Sequence, residues 1–443
     1  MTLQDFVITP LYLIVIYLVA YFIRGLVADA NTKRYFIPAL TVKIIGAISV
    51  GLIYQFYYGG GDTFNYFNNS KHIWEAFKES PLLGLSLIFS KNQYTSDNFQ
   101  FASLMYFFHD SSSYFVVRVA GLFDIFTFHT YSATAILFAL FSFSGLWVMY
   151  KGFYDLHKQL HFEFALAIFF IPSVFFWGSG LLKDTLTLGA LGWATYATIR
   201  IFFCRKRSII PYVIVLMLSC YAVYLIKIYI LLCFSPAIIL WIFLYWRRSI
   251  PSAMMRILLT PIMIALALVL GYFALVAVGE DNQRYSLESL GKTAEITATY
   301  LYYVSEKQGG SSYTLGDFDY SVSGMIKKLP LAINVTLFRP YLWEAKNPIM
   351  LLSALESFAL LIFTIVITVR TRLLTTLKSI DPTITFCLVF ALSFAFAVGF
   401  STYNFGSLVR YKIPLIPFYL IGLFTLNHYS KKDKKLSALD RTE

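Results

Sequence analysis

The stretch FEFALAIFFIPSVFFWGSGLLKDTLTLGALGWATYATIRIFFCRKR, Phe162 to Arg207, decides the fold class. Two apolar runs flank a connection of small residues that carries one charged pair, Lys183 and Asp184. The second run ends on the basic cluster Arg205, Lys206 and Arg207. About 20 apolar residues in a helix cross a hydrocarbon layer, and a charged pair between two such runs belongs at a surface or in a wet cavity. The whole chain has the same character: of 443 residues, 58% are hydrophobic, 19% aromatic and only 14% charged, and the mean hydropathy is +0.66. Ordinary soluble domains carry about 25% charge. With 24 Gly, 14 Pro and 4 Cys, the composition also excludes collagen-like, disordered and disulfide-scaffold classes.

Apolar runs near 9–23, 37–57, 131–150, 162–178, 185–203, 209–225, 228–246, 255–278, 349–369, 383–401 and 412–428 predict an all-α, polytopic transmembrane bundle of about 11 spans, a single membrane-embedded domain over 1–443. The run from Ile209 to Trp246 is divided at Lys227, because a lysine at mid-bilayer costs several kcal/mol. The first run has no basic region before it and no small-residue cleavage site after it, so it is read as a span rather than a signal peptide. Cys204, Cys220, Cys233 and Cys387 lack metal-ligand spacing and read as small apolar residues.

The net charge of +12 is explained by topology without nucleic acid as a partner. Basic residues collect in alternate connections: Arg24, Lys33 and Arg34; Lys151 and Lys158; Arg205 to Arg207; Arg247 and Arg248; Arg370, Arg372 and Lys378; and the lysine-rich tail, 429–443. The positive-inside rule makes these cytoplasmic, which puts the amino terminus outside and the carboxyl terminus inside. The long polar segments 58–130 and 279–348, and most of the 24 acidic residues, then lie outside, so chemistry is expected there.

Five outer segments carry candidate sites. In GGGDTFNYFNNSKHIWEAF, Gly59 to Phe77, three glycines let the chain turn sharply and present Asp62, followed at helical spacing by Tyr66, Ile73, Trp74 and Phe77. That spacing predicts an amphipathic helix in the interface, which Asp62 could equally well cap. A second amphipathic stretch, Phe99 to Phe128, holds His109, Asp110, Arg118 and Asp124. The connection Ile171 to Leu191 holds Lys183 and Asp184, where a lysine beside a helix amino terminus suits an anion. LFRPYLWEAKNP, Leu337 to Pro348, carries Arg339, Trp343 and Glu344, with Glu356 in the following span. STYNFGSLVRYKIPLIPFY, Ser401 to Tyr419, places Arg410 and Lys412 outside with Asn404, Gly406 and Ser407 nearby. An arginine fork suits bidentate phosphate binding, and the same side chain also suits snorkelling to headgroups.

An outer Asp in the first large outer loop, then Tyr and interfacial helices, then the connection Pro172…Trp177-Gly-Ser-Gly-Leu-Leu-Lys183-Asp184, resembles the GT-C superfamily of integral-membrane glycosyltransferases, bacterial members acting on lipid-linked sugars in particular. Residues 50–200 carry most of the resemblance. It implies a polyprenyl-phosphate sugar donor, a glycan, lipid or protein acceptor outside the bacterial inner membrane, and inversion at the anomeric carbon. It would make Asp62 the general base, and would leave Lys183 and Arg410, with Arg339, as donor-phosphate ligands. Tyr66, Asp184, Trp343, Glu344 and Asn404 are the expected substrate contacts. No metal ligand set is indicated, and no cofactor is firmly expected; a divalent metal is left open. Two other readings stay open: a cell-envelope polysaccharide polymerase or ligase, which the Asp62-x-x-x-Tyr66 pattern and the ending at Arg410-Tyr411 also suit, and a transporter or flippase without chemistry. No Walker, haem or zinc motif gives another enzyme class a foothold.

Overall fold

The computed structural model describes residues 2–204, 208–247, 249–252, 254–262, 265, 290–307, 311–316, 321–371 and 381–439. Among the described residues the regular structure is all helical. It divides into two compact units, Met1–Ile228 and Tyr229–Glu443, each with its own core.

The first unit contains α1 (Leu3–Val27), α2 (Lys33–Phe56), α3 (Asp62–Glu79), α4 (Pro81–Ile88), the short α5 (Phe99–Ala102), α6 (Ser111–Thr127), α7 (Tyr131–Leu156), α8 (His161–Phe169), α9 (Pro172–Trp177), α10 (Lys183–Phe202) and the first part of α11 (Ile210–Arg247). Helix α7 is the centre. Its Gly145 lies against Gly189 of α10 so closely that a Cβ there would sit 2.0 Å from the Gly189 carbonyl oxygen. Small residues allow such backbone contact, and van der Waals packing of this kind holds helices together in lipid, where no hydrophobic force acts between them. On another side of α7, Phe143 and Trp147 take Phe36 of α2 edge-on, with ring centroids 5.2 and 4.7 Å apart. At the end of α7 where Tyr131 lies, α3 packs on α6. There the fully buried Asp124 accepts hydrogen bonds from Ser70 (2.6 Å) and Thr134 (2.7 Å) and pairs with His129 (2.9 Å). The helix α1 is anchored by Asp5, which accepts from the Ser132 amide and hydroxyl at 2.8 and 2.6 Å.

The second unit contains the rest of α11, α12 (Leu290–Lys307), α13 (Val322–Phe338), α14 (Pro348–Thr371), α15 (Pro382–Ser401), α16 (Phe405–Tyr411) and α17 (Leu415–Leu439). Its core is aromatic: Phe234 lies among Phe386, Phe390 and Phe418, and Trp241 stacks on Phe386 at 4.2 Å. Thr336 of α13 donates across to the Ala395 carbonyl of α15 at 2.6 Å.

Six helices among the described residues are long and apolar enough to cross a membrane: α1, α2, α7, α11, α14 and α15. The bent pair Phe405–Tyr411 and Leu415–Lys431, 62° apart, makes a seventh if counted as one span. The difference from about 11 has identifiable sources. The run expected at 162–178 is two short helices, because Pro172 cannot continue the hydrogen-bond ladder and holds Ile171 extended (φ −78°, ψ 125°). The run 185–203 forms α10, a helix of 20 residues that is long enough to cross a membrane but less apolar than the six, because Lys183, Asp184, Arg200 and four threonines interrupt it. The runs 209–225 and 228–246 are one element, α11, broken at Lys227, whose backbone is non-helical (φ −147°, ψ 74°). Most of 255–278 lies outside the described residues, as do Arg205, Lys206, Arg207, Arg248, Arg372 and Lys378 and part of the segment 279–348.

Candidate active site

Gly59, Gly60 and Gly61 have φ of 70°, 135° and 126°, a run of left-handed backbone that side chains disfavour. The Gly60 amide is tied back to the Tyr54 carbonyl at 2.8 Å, and Gly61 is the residue before α3. Asp62 is therefore the first residue of α3 rather than its cap. A carboxylate in the first turn is stabilised by the helix dipole. One turn on, Tyr66 is buried, its ring 5.1 Å from Phe107, and the Asn69 side chain accepts from the Phe107 amide at 3.1 Å. Tyr66, expected as a substrate contact, thus fixes α3 against the segment leading into α6.

That segment ends at Asp110, which caps α6 by accepting from the Ser112 amide (3.1 Å) and the Ser113 hydroxyl (2.5 Å). Lys183, the first residue of α10, comes within 3.7 Å of the same carboxylate. Burial pushes the Asp110 pKa up, but the Ser113 hydrogen bond and the Lys183 charge outweigh it and hold the carboxyl below its ordinary value. Burial dominates at Lys183 and pulls the ammonium below its ordinary range. Asp110 opposes this, Lys227 adds to it, and Asp62 and Asp184 oppose it, so both carboxylates act on the lysine. The Lys183 side chain is 19% exposed, open enough to meet a ligand.

Behind Lys183 the cluster closes. Asp184 is fully buried and forms an ion pair with Lys227, whose side chain is 8% exposed. The break in α11 brings Lys227 to this depth, and the Ser112 hydroxyl holds the neighbouring Ile226 carbonyl at 2.9 Å. Asp184, expected to touch substrate, is instead turned inward. The turn before Lys183 is pinned from below by Lys43 of α2, fully buried, whose ammonium donates to the Gly178 carbonyl. Thr185 donates to the Gly180 carbonyl at 2.6 Å. The first unit therefore brings Asp62, Lys183 and Asp184 into one electrostatic cluster with two members the sequence reading did not assign to it, Asp110 and Lys227. His109 is turned to the Asn92 carbonyl at 3.2 Å.

The remaining expected residues belong to the second unit. Arg339 is engaged by Glu344, its Nε 3.1 and 3.0 Å from the two carboxylate oxygens, and Glu344 also accepts from the Tyr341 amide at 2.7 Å. The rings of Phe405, Tyr313 and Tyr341 lie 5.1, 5.7 and 5.7 Å from the guanidinium. A phosphate would have to displace Glu344 to reach this fork. Trp343 is 81% exposed and stacks on Tyr341. Asn404 caps α16 by accepting from the Ser407 amide at 2.9 Å, and Arg410 lies half-buried in the last turn of that helix. Lys412, beyond it, is buried and donates to the Ser357 hydroxyl at 2.9 Å.

Two of these features had a signal in the sequence. Lys43 and Lys227 each interrupt an apolar run, but their partners, a carbonyl 135 positions away and a carboxylate 43 positions away, have no local pattern. No group of three or more His, Cys, Asp or Glu placed to hold a metal occurs among the described residues. Comparison with protein-family models, with curated proteins and with solved structures finds no match.

Proposed function

We propose that the chain is an integral-membrane glycosyltransferase of the GT-C type, which moves a sugar from a polyprenyl-phosphate donor to an acceptor hydroxyl outside the bacterial inner membrane. One arrangement carries the reading: Asp62 opens α3 on a three-glycine turn, and the partly exposed Lys183 opens α10 within 3.7 Å of Asp110. Transfer with inversion needs a carboxylate to accept the proton of the attacking hydroxyl and a cation to meet the departing phosphate. As the new C–O bond forms, the anomeric C–O bond to phosphate breaks and its electron pair leaves with the phosphate. Asp62 takes the proton and Lys183 stabilises the phosphate. Asp110 orients Lys183, and the Asp184–Lys227 pair supports the start of α10.

Lys183→Met removes one charge-assisted contact, worth about 1.5–3 kcal/mol. Sugar transfer from a polyprenyl-phosphate donor by the protein in vesicles should fall by about one to two decades, with the helical content unchanged. Full activity of that variant would remove Lys183 from the phosphate site.

A second reading has its own observation. Lys43 and the Asp184–Lys227 pair are ionisable groups buried among helices, and such groups often line ion or substrate paths in transporters. Reconstituted protein that drives uptake of a solute and shows no transfer would favour it.

Orientation is part of the proposal. In a background without the four native cysteines, an impermeant thiol reagent should label a cysteine at Ser96, in the outer segment, but not one at Ser208. Both side chains are exposed, so accessibility in the fold does not limit either. The reverse pattern would put the Asp62 cluster on the cytoplasmic side.

A further inference from the structure

The three glycines before Asp62 shape the turn that delivers it, but glycine is the backbone least able to hold a direction, so whatever fixes the first turn of α3 must come from outside that run. One side is supplied by Tyr54 of α2: a Cβ at Gly61 would lie 2.8 Å from its ring. The other side is supplied by the connection between α6 and α7. Phe128 and His129 there have φ of 53° and 51°, left-handed backbone in two successive residues that are not glycine. Such strain persists where the surroundings over-determine it, and it clusters at working parts of a protein. The fully buried Asp124 holds His129 Nδ1 at 2.9 Å, and the imidazole stacks 3.9 Å from Phe67 and 5.4 Å from Trp74 of α3. Tyr131 then opens α7. Its ring stacks on Phe64 at 4.4 Å and meets Phe67 edge-on at 5.3 Å, and its hydroxyl is hydrogen-bonded to the Thr63 hydroxyl at 2.7 Å. Thr63 and Tyr131 are both buried, and Asp62, beside Thr63, is half-buried.

We propose that Tyr131 is the positioning residue for Asp62: through Thr63 and Phe64 it holds the first turn of α3 so that the carboxylate is aimed at the acceptor hydroxyl. This rests on the general-base role given to Asp62 above. Tyr131 touches neither sugar nor phosphate in this role and acts by geometry alone. Misplacing a reacting group by about 1 Å can cost about 100-fold in rate, and a helix start that follows three glycines has no constraint of its own against such a shift. Packing accounts for the two ring contacts. It does not account for the hydroxyl, because a phenylalanine would stack as well, and a buried pair of hydroxyls stands where two apolar side chains would avoid the cost of desolvation. The bond between them is directional, so it fixes the rotation of the turn, which ring stacking leaves loose.

The test uses the full chain in vesicles, with the four native cysteines replaced. Thr63→Val combined with Tyr131→Phe removes both hydroxyls and keeps both shapes, so no buried donor or acceptor is orphaned and the fold should be kept. A spin label on Asp62→Cys should become more mobile in that double variant, while a label on Lys71→Cys, exposed further along α3, should not change. In unlabelled protein, release of polyprenyl phosphate from a polyprenyl-phosphate hexose should fall about 10- to 100-fold in kcat, with the donor KM unchanged because Lys183 is untouched. In an Asp62→Asn background the same two changes should lower turnover no further, since no base is left to aim. An unchanged label at position 62, or wild-type turnover by the double variant, would overturn the proposal. So would a fall that multiplies with that of Asp62→Asn, because the pair would then act on the structure and not through the carboxylate. Wild-type turnover by Asp62→Asn is a separate failure: it removes the base itself, and with it anything for Tyr131 to position, whatever the label shows.

Discussion

Asp62→Asn should lower sugar transfer by about 10² to 10⁴ while leaving the protein folded and inserted, the loss expected when a general base is removed. The amide keeps the size of the side chain and its place in the first turn of α3. What it loses is the capacity to take a proton and the negative charge that acts on Lys183. Transfer measured with a lipid-linked donor, together with thermal unfolding of the same preparation, separates the two possibilities: a purely structural role moves the unfolding curve and not the rate constant. Wild-type turnover by Asp62→Asn would reduce the residue to a helix start.

The largest stability effect should come from the Asp184–Lys227 pair. Both groups are buried, so removing one partner leaves the other charge uncompensated, at a cost of about 3–5 kcal/mol. Asp184→Leu and Lys227→Met should each unfold more readily by that amount. The double variant should regain most of the loss, since an apolar pair of similar volume is often as stable as a buried ion pair. Unfolding free energies of the four proteins form a double-mutant cycle. Additive losses would mean that the two residues act independently and that the start of α10 is held by Lys43 and Thr185 instead.

Much of the architecture was readable from local pattern. The ends of α2, α14 and α15 fall within four residues of the apolar runs, while α1 and α7 extend up to six residues past theirs, because hydrocarbon length sets the apolar run and the helix continues into the interface. The break at Lys227 was readable because a charge inside an apolar run has few low-energy positions. The two-helix form of 162–177 is hidden from hydropathy, although Pro172 signals it: hydropathy averages over a proline that the backbone cannot ignore. The site was partly legible. The glycine run announced a turn, and Asp62 stands where that turn delivers it. In the sequence Asp110 is one polar group among several on an amphipathic stretch; its pairing with Lys183 joins positions 73 residues apart, and no periodicity encodes that. The same limit applies to Arg339, which reads as a free phosphate fork until Glu344, five residues on, is seen to fill it.

On the proposed reading, the first unit binds a lipid phosphate at Lys183, with the sugar between that phosphate and Asp62. A structure of the full chain in a lipid nanodisc with a non-hydrolysable polyprenyl-phosphate sugar tests it most directly. The account predicts the phosphate oxygens within hydrogen-bond distance of the Lys183 ammonium, and the anomeric carbon close enough to Asp62 for one acceptor hydroxyl to fit between them. A phosphate bound elsewhere, with Lys183 still on Asp110 and Asp62 remote from the sugar, would contradict it.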